Sequence, residues 1–294
     1  MKKFIILSLI FLLTGCFNNE SRDKLNIYTS AYPFEYAVRK IYGHNSNVRS
    51  IYPDEVNIEA YFLTDKQIED YSASDLFIFN SLSFEKEYTI PMYLYNNDLK
   101  IIDGAKTIAI NKKIEEIWLD PTNYLKVIKN IEEGLLEIVE SHFLQNEISE
   151  NYANLRLEVS NISANLRRIS QNADNNTLVF GTNRFNFLEK FGFKVISLDD
   201  SEEITDKMIF DVKTMIEDDT LKYIYIGHLD MVNKVVAELI KDTNVEIVKL
   251  HTLSSISTEN RDNNEDYISI MNENVDKLKL QLFDWQINNY KLKL

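Results

Sequence analysis

Cys16 is the only cysteine in this 294-residue chain, so its thiol has no partner for an internal disulfide. A thiolate is a nucleophile and can be acylated or alkylated. The four histidines are His44, His142, His228 and His251. None falls into a Ser-His-Asp order, and no Gly-rich phosphate loop is present, so no enzyme is expected. His228 and His251 each follow an apolar, strand-like run, where an imidazole is either a ligand or a satisfied structural group. His44 and His142 fall in a turn and between helices, and read as surface. Tyr28, Tyr32, Tyr61 and Phe62 offer ring faces that could stack on an organic ligand, although such rings are more often core.

The context of Cys16 suggests its chemistry. Lys2 and Lys3 precede an apolar run from Phe4 to Leu13. That run is shorter than the about 20 apolar residues a spanning helix needs, and matches a signal peptide. Leu13-Thr14-Gly15-Cys16 resembles the bacterial lipobox, in which cleavage leaves the cysteine first and its sulfur receives a diacylglyceryl group. Residues 1–15 are therefore read as a lipoprotein signal peptide and 16–24 as a polar tether. The expected location is extracytoplasmic, with palmitate-type chains anchoring the protein to the cell membrane. A net charge of −14 argues against a nucleic-acid partner, which calls for clustered Lys and Arg. The 45% apolar content predicts an ordinary core, enough for one large domain or two medium ones.

The periodicity then predicts what positions the side chains. Strands are expected over 25–30, 47–52 and 75–79, with helices over 32–42 and 65–72 between them. Thr64 and Gln67 have the spacing of a capping box. Residues 83–99 show no clear period, and 99–102 reads as a further strand. Asp120 is placed to cap, and Pro121 to open, a helix running to about 141. Ile148, Tyr152, Leu155, Val159, Ile162, Leu166 and Ile169 fall at three- and four-residue steps, predicting one long helix. Beyond it, strands over 177–180, 194–198, 223–226 and 245–250 alternate with helices over 184–191, 206–217 and 231–241. A last helix is predicted over 267–288. The alternation implies an α/β fold: two lobes of parallel or mostly parallel sheet with flanking helices, bridged by one long helix. The divisions are 25–143 for the N-terminal lobe, 144–171 for the bridging helix and 172–294 for the C-terminal lobe.

Several stretches resemble the cluster A-I metal-binding lipoproteins, the zinc- and manganese-type substrate-binding proteins of ABC importers. They are Tyr28-Thr-Ser-Ala-Tyr-Pro33, Ile51 through Thr64, Ala73-Ser-Asp-Leu-Phe-Ile-Phe-Asn80 and, most specifically, Ile117-Trp-Leu-Asp-Pro121. The resemblance covers most of residues 25–290 and implies a metal held between two lobes. Its first ligand, a histidine, matches Glu59, and its second, again histidine, matches Glu116. Its third falls near Gly181-Thr182, and its fourth matches about Ser254, with His251 three residues earlier. The ligand set the resemblance implies is therefore Glu59, Glu116, His251 and Ser254, with His228 as an alternative imidazole and none of the usual histidines retained. Asp120 and Trp118 match structural residues of that family.

The resemblance implies a monomeric extracytoplasmic binding lipoprotein that captures Zn²⁺ or Mn²⁺ and passes it to a membrane ABC permease. Two rival readings keep the fold: a cleft that takes a non-metal ligand such as a small organic cation or a peptide, and a surface adhesin.

Overall fold

The computed structural model describes residues 24–109, 116–201 and 203–283. The signal and tether readings around Cys16, and the end of the last predicted helix, lie outside the described residues.

The N-terminal lobe is built from β1 (Leu25–Thr29), α1 (Tyr32–Tyr42), β2 (Ser46–Ser50), α2 (Asp65–Ser72), β3 (Leu76–Phe79), α3 (Lys86–Tyr95) and β4 (Lys100–Asp103). Its sheet is parallel throughout, in the order β2-β1-β3-β4. Such a sheet is covered on both faces, so its strands read as short apolar runs; Leu76, Phe77 and Ile78 are fully buried. The predicted capping box at the start of α2 is present: Thr64 accepts from the Gln67 N–H and the Gln67 side chain accepts from the Thr64 N–H.

Two helices lead out of this lobe, α4 (Pro121–Ile138) and α5 (His142–Asn172). The buried stripe of α5 comprises Leu144, Ile148, Leu155, Val159, Ile162, Leu166 and Ile169, with Tyr152 partly exposed beside it. Ser141 caps this helix through the Leu144 N–H.

The C-terminal lobe repeats the first: β5 (Thr177–Phe180), β6 (Lys194–Ser197), α6 (Asp206–Glu217), β7 (Tyr223–Gly227), α7 (Lys234–Ile240) and β8 (Glu246–Leu250). Its parallel order, β6-β5-β7-β8, matches that of the first sheet. A short α8 (Thr258–Asp262) and α9 (Tyr267–Leu282) are the last helices among the described residues.

Three expectations are corrected. The predicted helix over 184–191 is a 3-10 helix over Asn186–Phe191, closed by Gly192 at φ 98°, a left-handed conformation that favours glycine. The featureless 83–99 contains α3, whose interior Pro91 and largely exposed Ile90 and Leu94 erase the helical period. The helix predicted to run to 141 ends at Ile138.

The lobes share one apolar core that runs from Ile27 and Trp118 to Phe180, Leu250 and Met271. Hydrogen bonds fix them further. The Trp118 indole donates to the Thr252 carbonyl (2.8 Å), and the Tyr267 hydroxyl donates to the Trp118 carbonyl (2.6 Å). The Tyr267 ring stacks on Tyr124 at 4.0 Å. An interlobe contact this apolar and this fully bonded resists hinge motion more than a loop linker does.

Candidate functional site

In parallel sheets whose strand order reverses, ligands bind beyond the carboxyl ends of the strands at the reversal. In the C-terminal lobe that point lies between β5 and β7. The chain leaves β5 through Gly181-Thr182-Asn183-Arg184 and leaves β7 through Gly227-His228-Leu229-Asp230. Asp230 folds back so that its Oδ2 accepts from the Gly227 N–H at 3.0 Å. A Cβ on Gly227 would stand 2.6 Å from that oxygen, so a larger residue there would displace the Asp230 carboxylate.

The N-terminal lobe supplies the opposite wall. Glu59 lies in a 3-10 turn over Ile58–Ala60, held where Asn57 accepts from its N–H at 3.0 Å. Glu116 immediately precedes the turn over Ile117–Leu119, which Trp118 pins to the other lobe.

These carboxylates converge on one guanidinium. Arg184 donates from Nε to Glu116 Oε1 at 2.6 Å and from Nη2 to Glu59 Oε1 at 2.9 Å. Its Nη1 reaches both Asp230 oxygens, at 3.1 and 3.0 Å, and Thr182 Oγ1 at 3.3 Å. Glu116 is buried, whereas Glu59 and Asp230 keep one side to solvent. Burial pushes the Glu116 carboxyl up; Arg184 draws it back and the Glu59 charge adds to the rise. Burial opposes the Arg184 charge, but Glu116, Glu59 and Asp230 together hold the guanidinium above its usual range.

Above Arg184 opens a cavity of about 550 Å³. Its walls carry Tyr52, Tyr61, Phe62 and Phe84, and among the described residues its charged lining consists of Glu59, Glu85, Glu116 and Asp199 against Arg184. Burial works against the Asp199 charge, but bonds from Ser201 and from the Asn183 N–H hold its carboxyl below the usual range. Among the described residues, the cleft is thus an acidic pocket with aromatic walls and one internal cation.

Of the residues marked from sequence, Glu59 and Glu116 meet at Arg184, while His251 and Ser254 turn elsewhere. His251 stacks on His228 with ring centroids 3.9 Å apart. Nδ1 of His251 accepts from the Leu253 N–H at 2.9 Å, and Nδ1 of His228 accepts from the Thr252 N–H at 3.2 Å. A backbone N–H can only donate, so both rings carry their proton on Nε2. Ligation through Nε2 would require moving that proton to an Nδ1 that faces a donor. As placed, both imidazoles face the backbone donors of residues 252 and 253, and neither lines the cavity. The Ser254 hydroxyl is buried against Thr252 Oγ1 at 3.2 Å, in the segment that receives the Trp118 indole, and Ser254 does not line the cavity. Among the described residues, no three His, Cys, Asp or Glu side chains stand close enough together to hold a metal ion; Arg184 stands between the carboxylates of Glu59, Glu116 and Asp230.

Arg184 and Asp230 are unmarked in the sequence reading. Arg184 lies two residues beyond Thr182, where the resemblance leaves the third ligand open. The signal for it is charge balance: two glutamates at positions where neutral imidazoles are expected call for a cation beside them.

Two matching α/β lobes around an acidic cleft at a strand-order reversal define a solute-binding protein. The chain belongs to the family of the zinc-uptake complex component A, periplasmic, whose model matches residues 27–280. It is a substrate-binding protein of the type that works with ABC permeases, and not an enzyme. It is 23% identical to the high-affinity zinc uptake system protein ZnuA of Bacillus subtilis (strain 168), across 94% of this chain and 95% of that one. Among solved structures, the metal-dependent lipoprotein YcdH of Bacillus subtilis superposes with a TM-score of 0.74 at 21% identity, covering 88% of this chain and 99% of that one. The Zn(II)-bound ZnuA-like domain of Streptococcus pneumoniae AdcA gives 0.71 at 19% identity, again over 88% and 99%. At such identities the structural likeness speaks for the fold.

Proposed function

We propose that the chain is the extracytoplasmic, Cys16-anchored solute-binding component of an ABC importer, and that its cargo is a divalent metal ion received by Glu59, Glu116 and Asp230. The observation that carries this reading is the convergence of three carboxylates, from both lobes, on a single cationic group. The relatives named for zinc uptake make zinc the first ion to test. The donor chemistry favours a harder choice. Zinc accepts carboxylate oxygen but is usually held with nitrogen or sulfur, whereas an all-oxygen set suits manganese.

The test is metal analysis of the purified protein, followed by calorimetric titration with Zn²⁺ and Mn²⁺. Binding that disappears in the Glu59→Gln/Glu116→Gln double variant is the expected result. Flat titrations, with Arg184 both present and removed, would overturn the metal cargo.

One observation favours a second reading. A cavity of about 550 Å³ with four aromatic side chains on its walls is larger than a bare ion requires. Ring faces attract cations, by ~0.5–2 kcal/mol depending on exposure. An organic ammonium seated against Tyr52, Tyr61, Phe62 and Phe84 would use both the rings and the acidity. Titration with tetramethylammonium and 1,4-diaminobutane separates the readings: heat from these, with none from the metals, would favour the organic cargo.

A further inference from the structure

We propose that Arg184 is a tethered competitor for the cation seat, so that cargo enters by exchange with the protein's own guanidinium. This deepens the metal-cargo reading and rests on it.

The geometry of the seat supports exchange over a vacant site. Arg184 spends Nε, Nη1 and Nη2 on Glu116, Asp230 and Glu59, one carboxylate for each nitrogen. A guanidinium does not lose its proton, so the seat cannot be neutralised from the arginine side. Glu116 is only 6% exposed, and a buried carboxylate stripped of its partner is strongly unfavourable. With Glu116 ionised, the seat is therefore filled either by Arg184 or by an incoming cation.

The surroundings also allow the arginine to leave. Arg184 stands in the turn after β5, outside any helix or strand. The loop backbone is held, since the Asn183 N–H donates to Asp199 Oδ2 at 2.9 Å. The Arg184 side chain is 20% exposed and borders the open cavity, so rotation about its own bonds carries the charge out of the seat while the loop stays in place. Glu85 and Asp199 on the cavity wall offer acidic surroundings for the displaced guanidinium.

The consequence is a defined affinity penalty. If Arg184 vacates the seat in about 1% of molecules, the apparent dissociation constant is about 100-fold weaker than the intrinsic one. Arg184 thereby sets the concentration at which the cleft fills, and it selects for dications that can replace three ion pairs at once.

The experiment is calorimetric titration of wild type, Arg184→Gln and Arg184→Ala with Zn²⁺ and Mn²⁺, each repeated with methylguanidinium in the buffer. The glutamine variant keeps a hydrogen-bond donor toward the carboxylates, which preserves a folded form if the alanine variant fails to fold. The expected result is about 100-fold tighter metal binding in the variants, returned toward the wild-type value by methylguanidinium, which has no such effect on wild type. Equal affinities in wild type and variants, or weaker binding in the variants, would overturn the exchange while leaving the metal cargo standing. Absence of metal binding in every form would remove the metal-cargo reading itself, and the exchange with it.

Discussion

Arg184 and the His228–His251 pair show two ways in which one side chain decides what its neighbours can do. Glu59 and Glu116 were legible as cleft carboxylates because they occupy positions where the resemblance places ligands. Arg184 was not, because its role depends on the return of a loop 68 residues from Glu116 in sequence. The histidines are ambiguous in sequence for a different reason. An imidazole at a strand end can face a metal or a backbone N–H, and residue type alone does not distinguish the two. The stack has a pH signature. Burial lowers His228 to about 4 from 6.5, with Asp230 opposing and Lys249, Lys277 and Arg184 assisting. Burial, His228 and Lys277 lower His251 to about 3. Both rings are neutral when folded and protonate in the unfolded chain near pH 6.5. Between those values the unfolded state binds more protons, so stability rises with pH. Urea unfolding should show stability falling as pH drops from about 6.5 toward about 4, with the remaining loss continuing toward about 3. His228→Asn/His251→Asn keeps an acceptor near each Nδ1 position without a titrating group, and its slope in this window should be shallower. An unchanged slope would show that the pair is not responsible.

Among the elements, those with a strong local cause were the ones the sequence revealed. The stripe of α5, the capping box at Thr64 and the Asp120-Pro121 helix start each follow from a few adjacent residues. The 3-10 turn over 186–191 and the proline-containing α3 carry no such local period. Asp120 illustrates how a local signal can also serve tertiary structure. It is buried, its Oδ1 caps α4 through the Thr122 N–H at 2.9 Å, and its Oδ2 accepts from Lys190 of the other lobe at 2.6 Å. An N-cap is worth about 0.5–2 kcal/mol. A pair with an exposed lysine contributes at most about 1 kcal/mol; Lys190 is 58% exposed. Asp120→Ala should therefore lose about 1–2 kcal/mol in urea denaturation, mostly as the cap. Lys190→Ala should lose less. The reverse order would make the interlobe pair, and not the cap, the dominant function of Asp120.

For the whole molecule, the repeated strand order and the shared core explain why two lobes were legible from alternation alone: each strand-helix unit announces itself locally, and parallel pairing leaves few arrangements. The cleft between them was less legible because it is assembled from loops of both lobes. The proposed anchor is a separate whole-molecule matter. A net charge of −14 gives the chain no electrostatic attraction to anionic headgroups, and no helix among the described residues is long and apolar enough to cross a membrane. In the proposed reading, membrane retention rests on Cys16. Each buried lipid methylene contributes about 0.8 kcal/mol, and stable anchoring takes two chains or a second signal. The proposed diacylglyceryl group on Cys16 would supply two chains at one residue. In Cys16→Ser the sulfur that would carry them is absent, so fractionation of expressing cells should move the protein out of the lipid-modified membrane fraction, and labelled palmitate should no longer be incorporated. Palmitate retained by the serine variant would place the anchor elsewhere and remove the basis for positioning this binding protein beside its permease through Cys16.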